Sequence, residues 1–214
     1  MQVTGPLSPT VFIVDDDEIV LRSIARLVRS AGYPVETFSS PRDLLARAQP
    51  DWAGCIVLDL LMPDLDGLQA QEMFARQGLR LPVIFISGHG DIPASVQAMR
   101  AGAIDFLVKP ADGEALLAAI ERAIARDAAS HRQREERAAL HVRYESLTPR
   151  EREVCVLVAG GLLNKQIADR LGTSEKTVKA HRGQVMHKFQ IRSVAELVRI
   201  VDRLAVSQQP TRPR

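Results

Sequence analysis

Five short runs rich in β-branched and aromatic residues recur through the first half of this chain: Val11–Val14, Val35–Phe38, Cys55–Leu58, Val83–Ile86 and Phe106–Val108. Between the first two, Leu21, Ile24, Leu27 and Val28 fall at helical i, i+3 and i+4 intervals, and Gly32 closes the stretch. Strands that alternate with helices predict a parallel sheet with helices on both faces, because parallel neighbours need a crossover connection and a helix supplies it. The N-terminal half is therefore read as an α/β domain with a five-stranded parallel sheet. Ligands of such sheets bind beyond the carboxyl ends of the strands. That rule selects which polar residues to weigh.

Asp15, Asp16 and Asp17 follow the first run, Asp59 the third, Ser87 the fourth and Lys109-Pro110 the fifth. Singly each has a plain explanation: aspartates start helices, a serine opens a loop, a lysine ends a strand in solvent. Together they bring several carboxylates, a hydroxyl and an ammonium to one edge of the sheet. Asp59 stands out, since it ends an apolar run and an ionised carboxylate tolerates burial poorly without a partner. Clustered carboxylates also repel one another unless a cation lies among them, and oxygen-only ligands suit Mg²⁺.

The residues that occur in order, Val14-Asp15-Asp16, Asp59 with Met62-Pro63-Asp64 and Gly67, Ser87-Gly88-His89-Gly90, Ala101-Gly102-Ala103 and Lys109-Pro110, resemble the receiver domain of two-component response regulators over residues 10–126. The resemblance implies a flavodoxin-like (CheY-like) sheet and makes Asp59 the acceptor of a phosphoryl group from a phosphohistidine on a sensor kinase. It also implies that Asp16 ligates Mg²⁺ directly, that Asp15 acts mainly through bound water, and that Asp59 and the backbone carbonyl of Leu61 complete the protein ligands, with Mn²⁺ an acceptable substitute. Asp17 lies beyond the matching acidic pair and is read as a helix N-cap. Phosphoryl transfer needs positioning and charge stabilisation, so Lys109 suits a phosphate oxygen and helps keep Asp59 ionised, while Ser87 offers a hydroxyl to the new phosphate. Ser87 and Phe106 occupy the switch positions of the family, with a core phenylalanine as the plain reading of Phe106. Ala111 departs from the phenylalanine often found after Lys-Pro in these domains.

Charge separates the two halves. Up to Glu145 there are 15 basic and 20 acidic residues, and after it 13 and 6, so the halves carry −5 and +7. A basic C-terminal half invites a polyanion, and an acidic N-terminal half argues against the whole chain coating one. The stretch 127–145 has both charge signs and neither glycine nor proline, which favours a solvated helix extending the last helix of the first domain, with a disordered linker as the alternative. Thr148-Pro149-Arg150-Glu151 then has the pattern of a capping box with proline at the first helical position. Gly160-Gly161 stops that helix. A second runs through Asn164, Lys165, Ile167, Ala168 and Leu171 to Gly172, and Ser174 is the candidate N-cap of a third, which contains Thr177, Val178, His181, Val185 and Met186. Two short helices about a glycine-containing turn read as helix-turn-helix. The basic residues Lys176, Lys179, Arg182 and Lys188 on the third helix suit an anionic groove.

Leu147-Thr148-Pro149-Arg150-Glu151, Asn164-Lys165-Gln166-Ile167-Ala168, Leu171 and Thr177-Val178-Lys179 with His181 resemble the LuxR-type output domain over residues 146–206, an all-α four-helix domain. A receiver joined to it resembles the FixJ/NarL-type response regulators, and Gly88-His89-Gly90-Asp91 and Asn164-Lys165 look most like the FixJ branch. That likeness implies that Lys179, with Ala180 beside it, faces base edges, that Lys176, Thr177, Arg182 and Lys188 hold phosphates, and that Asn164 and Lys165 contribute from the preceding helix. Gly183 replaces a basic residue that some relatives carry. His181 is read as a packing residue, since no second His or Cys stands at ligand spacing. Val194, Leu197, Val198, Val201 and Leu204 form an apolar stripe that closes the small core and leaves a remainder for pairing two copies.

Residues 1–9 are read as an N-terminal extension and 207–214 as a disordered tail. Cys55 and Cys155 lie in apolar stretches and are expected to be buried and reduced. No apolar run reaches the length of a membrane span and Met1–Thr10 lacks the pattern of a signal peptide, so a cytoplasmic protein without membrane partners is expected. The leading expectation is a transcription regulator, not an enzyme, that is phosphorylated on Asp59, dimerises, and binds promoter DNA and RNA polymerase. Two alternatives are a constitutive DNA-binding protein whose receiver only dimerises, and a phosphatase with an aspartyl-phosphate intermediate. The absence of an insertion long enough for a substrate cap argues against the phosphatase.

Overall fold

The computed structural model describes residues 8–63, 65–88 and 92–205. The expectations for residues 1–7, Asp64, His89, Gly90, Asp91 and the tail 207–214 lie outside the described residues. The elements of the first half are β1 (Thr10–Val14), α1 (Glu18–Ser30), β2 (Val35–Phe38), α2 (Pro41–Arg47), β3 (Gly54–Asp59), α3 (Gly67–Arg76), β4 (Val83–Ser87), α4 (Ile92–Arg100), β5 (Asp105–Val108) and α5 (Gly113–Glu145). All five predicted strands are present within a residue at each end.

The strands pair in parallel in the order β2-β1-β3-β4-β5. From β1 the chain winds outward to β2, then returns across β1 to β3 and winds the other way. The carboxyl ends of β1 and β3 thus flank the switch point where doubly wound sheets bind ligands. Alternate residues face opposite sides. Val11, Ile13, Cys55, Val57, Ile84 and Ile86 pack with Leu21, Ile24 and Val28 of α1 and with Leu116, Ala119 and Ile120 of α5. Phe12, Val14, Ile56, Leu58 and Phe85 pack on the other face with Leu44, Ala70, Phe74 and Ala98. Covering on both faces explains why these strands read as continuous apolar runs.

The described residues form two compact units that divide between His131 and Arg132. In the second, α6 (Pro149–Ala159), α7 (Asn164–Leu171), α8 (Glu175–Phe189) and α9 (Val194–Ala205) enclose a core that includes Val154, Cys155, Val158, Ile167, Val178, Val185, Phe189 and Leu197. The predicted caps form. Thr148 Oγ1 accepts from Glu151 N–H at 3.3 Å, and the Glu151 carboxylate accepts from Thr148 N–H at 2.8 Å. Gly172 takes the left-handed conformation (φ 62°, ψ 43°) that ends α7, and Ser174 Oγ accepts from Thr177 N–H at 3.1 Å. The apolar stripe of α9 is drawn into this core through Leu197 and Leu204, with Ile200 between them and Val194 and Val201 packed alongside.

The stretch 127–145 is helical, as the last part of the 33-residue α5, but it is not solvated throughout. Asp127 is buried, and its Oδ2 accepts from Gly54 N–H at 2.9 Å where β3 begins. Gly54 has φ 136°, and an added Cβ would lie 1.9 Å from Thr10 O, so the two strands meet there only because the residue is glycine. At the far end of the helix Leu140 and Tyr144 pack against the C-terminal core. Composition misled here because one carboxylate meets a backbone donor and two apolar residues suffice to seat a short helical face. Cys55 and Cys155 are buried free thiols, pushed by burial up to about 12 and about 11. Among the described residues no helix is long and apolar enough to cross a membrane.

Candidate functional site

The pocket at the switch point is built by strand ends. Asp15 leaves β1 fully buried, and its Oδ1 accepts from Asp17 N–H at 2.9 Å. Asp17 caps α1 as expected, accepting from Ile19 N–H at 2.7 Å. Asp59 ends β3 with only 4% of its surface exposed, and the Leu61 N–H donates to its carboxylate. Behind it the chain turns tightly into α3: Gly67 N–H donates to Leu60 O at 2.9 Å, and a Cβ on Gly67 would stand 2.6 Å from Asp59 O. The Lys109 ammonium reaches both buried carboxylates, 2.6 Å from Asp15 Oδ2 and 3.0 Å from Asp59 Oδ1. The peptide bond to Pro110 is cis.

Asp15, Asp16 and Asp59 place ligand oxygens within 4.8 Å of one another, with Asp16 exposed at the mouth. Among the described residues no other trio of His, Cys, Asp or Glu is arranged in this way. Burial pushes the Asp59 carboxyl above its ordinary value; Lys109 and the Leu61 N–H act against that shift, and the charge of Asp15 adds to it. Burial also works against the charge on Lys109, but the two carboxylates prevail and hold its pKa above the usual value. Lys109 therefore helps ionise Asp59, as the sequence suggests, without fully offsetting burial. Three carboxylates around one ammonium leave negative charge for a second cation, and an all-oxygen donor set fits a hard divalent ion.

Ser87 ends β4 fully buried, and Lys109 N–H donates to its carbonyl at 2.7 Å, which joins the ends of β4 and β5. Phe106 lies opposite Phe85 in the register and is partly buried against the core on that face. The pocket thus brings together Asp15, Asp16, Asp59 and Lys109, with Ser87 and Phe106 on the adjoining strands.

The second candidate surface is the outward face of α8. Lys176, Lys179, Ala180 and Gly183 are exposed at i, i+3, i+4 and i+7 spacing, and Lys165 is exposed on α7. The other predicted contacts are engaged within the domain. Thr177 Oγ1 lies 2.9 Å from the capping Ser174 Oγ, and Arg182 donates to Asn164 Oδ1 at 3.2 Å, which ties α8 to α7. Lys188 donates to Glu151 Oε2 at 2.6 Å and to Ser146 O at 2.9 Å. The Lys188 ammonium, with the capping hydrogen bonds, holds the Glu151 carboxyl below its ordinary value. His181 is half-buried on the same helix.

Sequence reasoning passed over Asp127 and Arg143. Arg143 donates from Nη1 to Phe189 O at 3.0 Å and from Nη2 to Gln190 Oε1 at 2.9 Å. The spacing of Leu140 and Tyr144, four apart in a charged helix, was the available signal that α5 regains a buried face at its end.

Residues 11–121 match the response regulator receiver domain, and residues 145–201 match the luxR family of bacterial regulatory proteins. Nodulation protein W of Bradyrhizobium diazoefficiens is 45% identical over 201 residues, 94% of this chain and 88% of that protein. The transcriptional regulatory protein FixJ of Rhizobium meliloti is 39% identical over 191 residues, 89% of this chain and 94% of that protein. Among solved structures, response regulator StyR superposes with a TM-score of 0.81 at 46% identity, covering 91% of this chain and 98% of that one. A receiver pocket at the sheet's switch point, a helix-turn-helix domain with an exposed basic face, and relatives matched along nearly the whole chain lead to one conclusion: the chain belongs to the FixJ/NarL-type two-component response regulators, which regulate transcription.

Proposed function

We propose that Asp59 accepts a phosphoryl group from the phosphohistidine of a sensor kinase and that the acyl phosphate so formed promotes dimerisation and promoter binding through α8. The reading is carried by one observation: a nearly buried Asp59 lies 3.0 Å from the Lys109 ammonium and within 4.8 Å of the oxygens of Asp15 and Asp16. A carboxylate oxygen of Asp59 attacks phosphorus, the N–P bond breaks, and the imidazole leaves with the bonding pair. Lys109 moves from carboxylate to phosphoryl oxygen, and the Ser87 hydroxyl donates to another. Asp16, Asp59 and the Leu61 carbonyl would hold Mg²⁺ or Mn²⁺, which supplies charge neutralisation for the phosphoryl oxygens. Asp15 has one oxygen on Lys109 and the other on Asp17 N–H, which suits it to act through water. The added charge of roughly −1.5 to −2 draws Ser87 toward the phosphate, and Phe106 turns in behind it. The same pocket returns the protein to rest by hydrolysis of the acyl phosphate.

On α8, Lys179 and Ala180 face base edges, while Lys176 and, from α7, Lys165 hold phosphates. Thr177 and Arg182 add backbone contacts from the domain's flank, with Asn164 orienting Arg182. Lys188 is left out of this set because Glu151 and Ser146 hold it. Two copies, each reading a half-site, bind promoter DNA and contact RNA polymerase in the cytoplasm. The test is labelling by radioactive acetyl phosphate with Mg²⁺: the wild-type chain incorporates phosphate, Asp59→Asn does not, and labelling that survives the substitution removes Asp59 from its role.

A further inference from the structure

The last two turns of α5 and the C-terminal end of α8 are fastened to each other reciprocally. A helix leaves its final carbonyls without intrahelical partners. At the end of α8 the Phe189 carbonyl receives Arg143 Nη1 at 3.0 Å, and the side chain of Gln190, the C-cap with φ 58°, receives Nη2 at 2.9 Å. At the end of α5 the Ser146 carbonyl receives Lys188 Nζ at 2.9 Å from α8. Each cation also stands at the negative end of the other helix's dipole. Leu140 and Tyr144 seat the same stretch on the domain core, and the Arg152 guanidinium lies 5.6 Å over the Tyr144 ring. Leu140, Arg143 and Tyr144 all precede residue 145, where the luxR-family match begins. The Arg143, Leu140 and Tyr144 contacts therefore reach from the connecting helix into the matched domain, whereas Lys188 and Ser146 both lie within it.

We propose that Arg143 is a positioning residue for DNA reading: it fixes the C-terminal end of α8 to α5, so that the end of α5 is part of the reading unit and sets the pitch at which α8 presents Lys179. This rests on α8 being the reading helix. A guanidinium suits the task because its rigid fork can serve two acceptors at once, whereas an ammonium on a flexible stem holds one point. Arg143 touches neither the phosphoryl pocket nor the exposed face of α8. Its effect reaches DNA only through the orientation of that helix.

The experiment uses the full chain and compares wild type, Arg143→Ala and Arg143→Lys. Affinity is measured by fluorescence anisotropy at several salt concentrations, on a duplex selected by the phosphorylated wild-type protein from a random pool and on a scrambled duplex, alongside Asp59 labelling by acetyl phosphate. For Arg143→Ala the expected result is unchanged labelling, an affinity for the selected duplex lower by about tenfold, the scale of one charge-assisted hydrogen bond, and an unchanged affinity for the scrambled duplex. Arg143→Lys should recover part of the loss. The logarithmic salt slope should stay the same, because a lost phosphate contact would lower it by about 0.9. Equal losses on both duplexes would make Arg143 merely structural, a reduced slope would make it a phosphate contact, and no loss would overturn the proposal. A wild-type protein without preference for any duplex would instead remove the reading of α8 itself.

Discussion

The receiver pocket and the exposed face of α8 use charge under opposite conditions. In the pocket, Asp15 and Asp59 are almost wholly buried, one ammonium is shared between them, and burial pushes the Asp59 carboxyl upward even with Lys109 at 3.0 Å. On α8, Lys176 and Lys179 point into water, where a charge costs little and attracts a polyanion at long range. A buried charge cluster does chemistry because it is unstable without further positive charge or a charged product. An exposed row suits recognition of a polyanion, because its energy is realised only when the partner displaces water and counterions. The same residue type, lysine, is paired with two buried carboxylates at 109, open to solvent at 179 and an internal tie at 188.

Lys109 is where the two surfaces differ most in what a lost charge should do. Lys109→Ala should slow labelling of Asp59 by acetyl phosphate by about 10²-fold, the usual cost of removing one preorganised charge-stabilising donor. A loss of only twofold would mean that the ammonium is a structural partner of Asp15. On the exposed face, Lys179→Ala should weaken operator binding by about 1–3 kcal/mol and relax base preference at one position, while leaving the melting temperature unchanged. Uniform weakening across sequences would reassign Lys179 to a phosphate.

Lys188 lies on the same helix as Lys179 but is turned inward to a carboxylate. Lys188→Ala leaves the Glu151 carboxylate, 7% exposed, without its ammonium, and should destabilise the C-terminal unit by roughly 1–3 kcal/mol. Hydrogen exchange at α8 amides would show it as lost protection. The pH dependence follows from the same pair. The Glu151 carboxyl lies below its ordinary 4.5 in the folded state, so its contribution is fully present above that value and fades as pH falls through the lower folded value. Protection of α8 should drop over that acid window in the wild-type chain and lose this dependence in Glu151→Gln. The smallest effect belongs to Gly183, where an added Cβ meets nothing within 4 Å. Gly183→Ala should stabilise α8 by about 1 kcal/mol, and if the backbone there approaches DNA closely, operator affinity should fall despite the gain.

The receiver was readable because its signal is topological. Asp15, Asp59, Ser87 and Lys109 each sit at the end of an apolar run, and the strand order then forces them together. The exposed face of α8 was only half legible. A basic residue on a helix looks the same in sequence whether it faces solvent, as Lys179 does, or a carboxylate 37 residues upstream, as Lys188 does. Asp127 and Arg143 were hidden for a related reason, since their partners are backbone groups, and Gly54 N–H and Phe189 O leave no trace in side-chain pattern.

In the proposed function, charge added to the buried pocket is coupled to DNA binding by the exposed helix. That coupling is read from the affinity of the full chain for its selected duplex with and without beryllium fluoride and Mg²⁺, which mimic the Asp59 phosphate. Binding should be at least about tenfold tighter with the mimic, within the ordinary range of allosteric coupling, and Asp59→Asn should not respond. Equal affinity in both states would contradict the coupling and leave the receiver as a module without control over DNA.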